Sequence, residues 1–140
     1  DAGIADRFVL TDGDSETAMT AADVVLLASG TAALEAALLG KPTVAAYRLA
    51  RLTAALARAF RLVKVRQFTL PNLLTDTPLV PEFIQEDAEP RAIAATVSEF
   101  LNDPERRRFV SSEFAKLKAK LALDADQRAA DAVIDLAKQQ

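Results

Sequence analysis

The segment DVVLLASGTAALEAALLGKP, residues 23–42, decides the fold class. Residues 23–28 form an apolar run of strand length, which is typical of a strand covered on both faces. Ser29 is a suitable N-cap for a helix that runs to about Leu39, because a glycine and a proline follow as the usual stop signal. A strand followed directly by a helix is the repeating unit of α/β folds.

The same alternation continues on both sides of this segment. Short strands are predicted at residues 7–11, 43–47 and 66–70, and helices at residues 14–22 and 49–63. Beyond Pro81 only helices are predicted: Pro90 and Pro104 suit first helical positions, and a last helix covers residues 124–138. Because strands alternating with helices favour a parallel sheet, we predict an α/β, Rossmann-like fold followed by C-terminal helices.

Two amino acids that carry much of enzyme chemistry are absent. The 140 residues include no cysteine and no histidine, which excludes a disulfide framework, a thiol nucleophile, Cys-ligated zinc and a Ser-His-Asp triad. No cofactor and no metal site are predicted, and Asp124-Ala125-Asp126 is interpreted as helix capping.

The first residues resemble neither a signal peptide nor a natural start, so a piece of a longer protein is expected.

Positive charge is concentrated in the middle of the chain. Residues 36–75 contain seven bases and no acid, whereas the rest carries 10 bases and 20 acids. This basic band suggests an anionic partner such as a phosphate or a membrane surface, and the few aromatics speak against nucleic acid. On the predicted helix 49–63, leucines and arginines separate onto two faces. The arginines either face an anionic membrane or are merely solvated; these candidates are Arg48, Arg51, Arg58 and Arg61.

The start of the helix after Ser29 is a predicted anion site. The backbone N–H groups of Gly30, Thr31 and Ala32 are expected to face an anion at the positive helix end, beyond the carboxyl end of a strand. Glu35 shares a face with Thr31, and its carboxylate can accept hydrogen bonds from vicinal hydroxyls such as those of ribose. Phosphate and ribose together indicate a nucleotide. The alternative is that Glu35 lies on the solvent face of an ordinary helix.

Three motifs in this order and spacing resemble one enzyme family. SGTAALE at 29–35, PNLL at 71–74 and VPE at 80–82 are similar to the C-terminal part of lipid-A-disaccharide synthases, which are GT-B fold glycosyltransferases of Gram-negative bacteria. The similarity runs from about Asp6 to the end of the chain. It implies that residues 1–80 are part of a nucleotide-sugar-binding α/β domain and that residues 81–140 are a helical segment completing it.

The resemblance also implies a hexosyltransferase reaction. Family members transfer 2,3-diacylglucosamine from UDP to lipid X (2,3-diacylglucosamine 1-phosphate), giving the lipid A disaccharide 1-phosphate and UDP. Ser29, Gly30 and Thr31 would then face the diphosphate, and Glu35 would face the ribose. Three further candidates would lie in the donor cleft. For Asn72 a simple turn after Pro71 is the alternative. The donor-cleft candidates are Asn72, Glu82 and Gln85.

Several partners follow from the same resemblance. The N-terminal acceptor domain, with the catalytic base, lies outside this chain, so no catalytic residue is assigned and the chain alone is expected to be inactive. A cytoplasmic protein at the periphery of the inner membrane is implied, and a homodimer is left open. Two other functions also remain open: another GT-B enzyme that uses UDP-N-acetylglucosamine, and a non-catalytic α/β interaction module.

Overall fold

The computed structural model describes residues 5–28, 30–48, 67–122 and 125–138. Over these ranges the strands are β1 (Val25–Leu27), β2 (Thr43–Tyr47) and β3 (Glu82–Ile84). Two 3-10 turns cover Ala5–Arg7 and Gln85–Asp87. The helices are α1 (Ser15–Ala21), α2 (Gly30–Leu38), α3 (Leu70–Leu74), α4 (Pro90–Asn102), α5 (Pro104–Leu121) and α6 (Ala125–Lys138).

The three described strands form one parallel sheet in the order β1-β2-β3. Val25 pairs with Thr43, and Ala45 pairs with Glu82. The central strand β2 is buried on both faces, since the successive residues Val44 and Ala45 are both fully buried. The predicted α/β class with a parallel sheet is confirmed. Parallel neighbours need a crossover connection, and α2 forms the connection between β1 and β2.

Helix α2 ends where the sequence predicts. Gly40 adopts a φ of +72°, a left-handed conformation that favours glycine. Its N–H donates to Ala37 O, and the N–H of Lys41 donates to Ala36 O, both at 2.9 Å. These two bonds form a Schellman motif that satisfies the last carbonyls of the helix and turns the chain into β2.

The hydrophobic core lies between β2 and the helices α2, α4 and α5. Phe100 of α4 and Phe114 of α5 are fully buried and pack with Val44 and Ala37. Both helices begin at the prolines that the sequence singles out. Asp103 caps α5 by accepting a bond from Arg106 N at 2.9 Å, whereas Glu89 makes no side-chain cap at α4.

The third strand is not where the sequence places it. Residues 67–70, the described part of the predicted strand 66–70, have no strand structure, and α3 begins at Leu70. The backbone N–H groups of Phe68 and Thr69 donate to the side chain of Glu82 and not to a neighbouring strand. The strand is instead β3, so the prediction of helices alone beyond Pro81 is wrong.

The predicted strand at residues 7–11 is also wrong. A 3-10 turn ends at Arg7, and Phe8, Val9 and Leu10 are 65%, 89% and 94% exposed. No described strand pairs with this segment, so its backbone lacks the ladder that a strand requires. The expectation that β1 is covered on both faces fails for the described residues, because Leu26 is 54% exposed.

Other predictions lie outside the described ranges. Ser29 and the whole of the predicted helix at residues 49–63, with Arg51, Arg58 and Arg61, belong to this group. The last helix is described from Ala125 onwards and agrees with the prediction. Within the described ranges, no helix combines the length and the apolar character needed to cross a membrane.

Candidate functional site

The carboxyl edge of the sheet brings three segments together. Strands β1, β2 and β3 are parallel neighbours, so the residues that follow them lie along one edge. Gly30 opens α2 after β1, Arg48 directly follows β2, and Gln85 directly follows β3. In open α/β sheets, ligands bind in the crevice at this edge. We call Gly30, Arg48 and Gln85 the edge residues.

Gly30 lies tightly against the segment that precedes α3. A Cβ at this position would lie 3.3 Å from the carbonyl oxygen of Phe68, which is closer than ordinary van der Waals contact. Glycine therefore lets the two backbones approach each other at the start of α2. Thr31, the next residue, is exposed. The start of α2 thus combines a close backbone approach with an open side toward solvent.

Gln85 has two unusual features. Its φ of +56° is a left-handed conformation, which costs a residue with a side chain about 1–2 kcal/mol. Its side-chain Nε2 is buried and has no hydrogen-bond partner among the described residues. Its backbone oxygen accepts a bond of 3.2 Å from Arg48 Nε. Backbone strain and an orphaned buried amide both collect at functional sites, and here they coincide in one edge residue.

Glu82 is the centre of a hydrogen-bond network beside this edge. Its Oε2 accepts from Phe68 N at 2.9 Å. Its Oε1 accepts from Thr69 N at 3.0 Å, Thr69 Oγ1 at 2.6 Å and Asn72 Nδ2 at 2.8 Å. A carboxylate that accepts this many bonds is firmly held. The carboxylate therefore ties the segment before α3 to strand β3.

Asn72 is a helix residue of α3 and not a turn residue, and it is only 3% exposed. Its Nδ2 donates to Val80 O at 2.7 Å and to Glu82. Its Oδ1 accepts from Leu79 N at 2.8 Å and Val80 N at 2.9 Å. The two donors and two acceptor positions of the amide are all occupied. The side chain therefore holds the fold around β3, and direct contact with a ligand remains a prediction that this geometry does not favour.

Glu35 lies apart from the edge residues. It is exposed and lines a cleft of about 240 Å³ between α1, α2 and α5. Its neighbours there include Glu16, Met19 and Lys118, whereas no edge residue lines this cleft. Glu35 follows Gly30 by about 7.5 Å along the helix axis. The sequence predicts that Glu35 and the start of α2 bind the same ligand. In the structure, α1 forms the opposite wall of the cleft that Glu35 lines.

Arg48 lies at the edge of the sheet, a position that its place in the charge pattern does not reveal. The charge pattern makes it a candidate for a basic face that either meets an anionic membrane or is merely solvated. The structure places it directly after β2 and bonded to Gln85. Its position in the sequence indicates a ligand-binding role, because it is the first residue after a correctly predicted strand. In α/β folds, ligands bind at the carboxyl ends of the strands.

The sequence model of the family described as lipid-A-disaccharide synthetase matches residues 4–135. The chain belongs to the lipid-A-disaccharide synthase family. It is 43% identical over 133 residues to the lipid-A-disaccharide synthase of Xanthomonas campestris pv. campestris strain 8004, covering 95% of this chain and 30% of that protein. The resemblance predicted from the three motifs is confirmed.

Two further relatives carry the same name. The lipid-A-disaccharide synthase of Chromohalobacter salexigens is 49% identical over 127 residues, which cover 91% of this chain and 32% of that protein. The lipid-A-disaccharide synthase of Haemophilus influenzae strain 86-028NP is 48% identical over 131 residues, which cover 91% of this chain and 33% of that protein. The chain thus spans about a third of the length of these family members.

Proposed function

We propose that this chain forms the UDP-sugar-binding part of a lipid-A-disaccharide synthase. The observation that carries the proposal is the buried Nε2 of Gln85, which has no hydrogen-bond partner among the described residues. The backbone oxygen of the same residue accepts a bond from Arg48 Nε at the carboxyl edge of the sheet. An unpaired buried donor costs about 1–3 kcal/mol, and a bound acceptor removes that cost. The guanidinium of Arg48 at the same edge favours an anionic ligand.

The edge residues supply groups for a diphosphate. The first backbone N–H groups of α2 point out of the positive end of the helix and would bind phosphate oxygens, as would Ser29 and Thr31. Arg48 uses Nε for the Gln85 carbonyl, which would fix its terminal amino groups toward the same oxygens. A rotation of the Gln85 side chain would bring its Nε2 out of the protein interior, where it would donate to an acceptor oxygen of the UDP-sugar. Glu35, about 7.5 Å further along α2, would accept from the ribose hydroxyls.

The proposed reaction is transfer of 2,3-diacylglucosamine from UDP to lipid X. A lipid X hydroxyl forms a bond to the anomeric carbon, the bond from that carbon to the diphosphate oxygen breaks, and UDP leaves with the electron pair. The hydroxyl proton passes to a base in the acceptor domain, which is not part of this chain. The start of α2 and Arg48 would stabilise the charge that grows on the departing UDP.

Both lipid substrates place the proposed enzyme at a membrane. We place it at the cytoplasmic surface of the inner membrane, where the basic band would face anionic lipid. Each base near such a surface contributes on the order of 1 kcal/mol. Within this band, Lys41 and Arg48 lie in the described ranges. Arg48 is bonded to Gln85 at the edge of the sheet. The membrane contact would therefore rest on the arginines beyond it, Arg51, Arg58 and Arg61.

Calorimetric titration of UDP into a complete enzyme containing this chain tests the proposal. We expect Arg48→Ala and Gln85→Leu each to weaken UDP binding by about tenfold to a hundredfold, since each removes a bond to the ligand. Arg91→Ala, at an exposed arginine of α4, is the matched control and should bind UDP like the wild type. Wild-type affinity in both edge variants would contradict the site. No binding of UDP by the wild type would favour the interaction module.

A further inference from the structure

We infer that Glu82 is a positioning residue of the donor site: its carboxylate holds the 68–69 backbone against Gly30 and so sets the shape of the start of α2. This inference rests on the proposed function. It gives Glu82 a role different from contact with the UDP-sugar.

The hydrogen bonds of Glu82 support this role. Its carboxylate accepts four bonds, all of 3.0 Å or shorter, from Phe68, Thr69 and Asn72. Thr69 is fully buried, so water does not compete for its two bonds to Glu82. Glu82 is also the first residue of β3, three residues before Gln85, and is paired with Ala45 inside the sheet. Its carboxylate oxygens are therefore occupied by groups of the protein.

The segment that Glu82 holds reaches the edge residues directly. The carbonyl oxygen of Phe68 would lie 3.3 Å from a Cβ at Gly30. The Phe68 ring lies 6.2 Å, centroid to centroid, from the ring of Tyr47, the last residue of β2. Residue 68 thus lies between the end of β2 and the start of α2. A shift of this backbone would change the space at Gly30, where the diphosphate is proposed to bind.

Glu82→Gln in the complete enzyme tests the inference. The glutamine keeps the size of the side chain but presents an NH₂ group to the surrounding donors, so some of the four bonds are lost. We expect amide hydrogen exchange of a peptide covering residues 67–70 to accelerate at least tenfold. We expect UDP affinity to fall about tenfold and KM for lipid X to stay unchanged. Thr69→Val, which removes one donor to Glu82, is a milder variant and should weaken UDP binding a few-fold.

A double-mutant cycle with Gly30→Ala separates positioning from general stability. If Glu82 holds residue 68 against Gly30, the added methyl group should weaken UDP binding clearly less in the Glu82→Gln background than in the wild type. Glu89→Gln removes an exposed carboxylate and is the control; it should change neither exchange nor affinity.

The outcomes of these measurements are distinct. Lower thermal stability of Glu82→Gln and Thr69→Val with unchanged UDP affinity would show a purely structural role and overturn the inference. Additive effects of Glu82→Gln and Gly30→Ala on UDP affinity would also overturn the inference. In both cases UDP would still bind the wild type, and the proposed function would stand. Failure of the wild type to bind UDP would overturn both.

Discussion

Replacing Asn72 by leucine tests whether this side chain holds the fold around β3. The substitution keeps a similar volume but removes every polar atom of the amide. Three buried backbone groups lose their partners: the N–H of Leu79, the N–H of Val80 and the carbonyl of Val80. One of the bonds to Glu82 is lost as well.

The expected cost follows from these groups. A buried backbone group without a partner costs about 1–3 kcal/mol, so three of them amount to roughly 3–9 kcal/mol before the structure relaxes. Relaxation and the apolar leucine side chain recover part of this. We therefore expect the free energy of unfolding to fall by roughly 3 kcal/mol, the lower end of that range. That is a large fraction of the roughly 5–15 kcal/mol that stabilises a typical domain.

Urea unfolding, followed by circular dichroism, measures this change. Asn102→Leu is the matched control, because Asn102 is exposed and its Nδ2 makes a single bond to Ser98 O within α4. It should change stability by no more than about 0.5 kcal/mol. If Asn72→Leu unfolds within about 1 kcal/mol of the wild type, the buried amide does not hold these segments. Asn72 would then be available for a ligand, as its place among the donor-cleft candidates implies.

Three further predictions concern the turn, the ribose site and the basic band. Gly40→Ala should destabilise the protein by about 1–2 kcal/mol through backbone strain alone, since the φ is +72° and no atom of the described residues lies within 4 Å of an added Cβ. An unchanged melting temperature would contradict this. Glu35→Gln should raise the KM for the UDP-sugar by about tenfold to a hundredfold, whereas Glu16→Gln in the same cleft should leave it unchanged. A KM of Glu35→Gln equal to that of the wild type would contradict the ribose assignment. Arg51→Glu with Arg58→Glu should reduce sedimentation with anionic vesicles at low salt, with the difference from the wild type shrinking at high salt; unchanged sedimentation would show that these arginines are merely solvated.

The parts of the fold that were predicted correctly depend on local signals. The unit β1-α2-β2 is encoded by an apolar run, a helix of suitable length and the left-handed Gly40, all within residues 23–47. The starts of α4 and α5 are marked by prolines, whose fixed φ suits a first helical turn. Each of these features can be recognised without knowing what packs against it.

The parts that were missed depend on partners distant in the sequence. Strand β3 has three residues, one of them Glu82, so it carries no apolar periodicity and exists through its pairing with β2. Without β3 the sequence could not show that Arg48 lies beside Gln85, 37 positions later. For the same reason the Asn72–Glu82 bond could not be foreseen, although both residues had been selected as candidates.

A crystal structure of the complete enzyme with UDP would show whether the ligand binds at the carboxyl edge of the sheet. We expect diphosphate oxygens within hydrogen-bond distance of the backbone N–H groups at Gly30 and Thr31 and of the Arg48 guanidinium. We also expect Gln85 Nε2 to gain a partner on the ligand. UDP bound away from the carboxyl edge of β1, β2 and β3, with Gln85 Nε2 still unpaired, would contradict the proposed site.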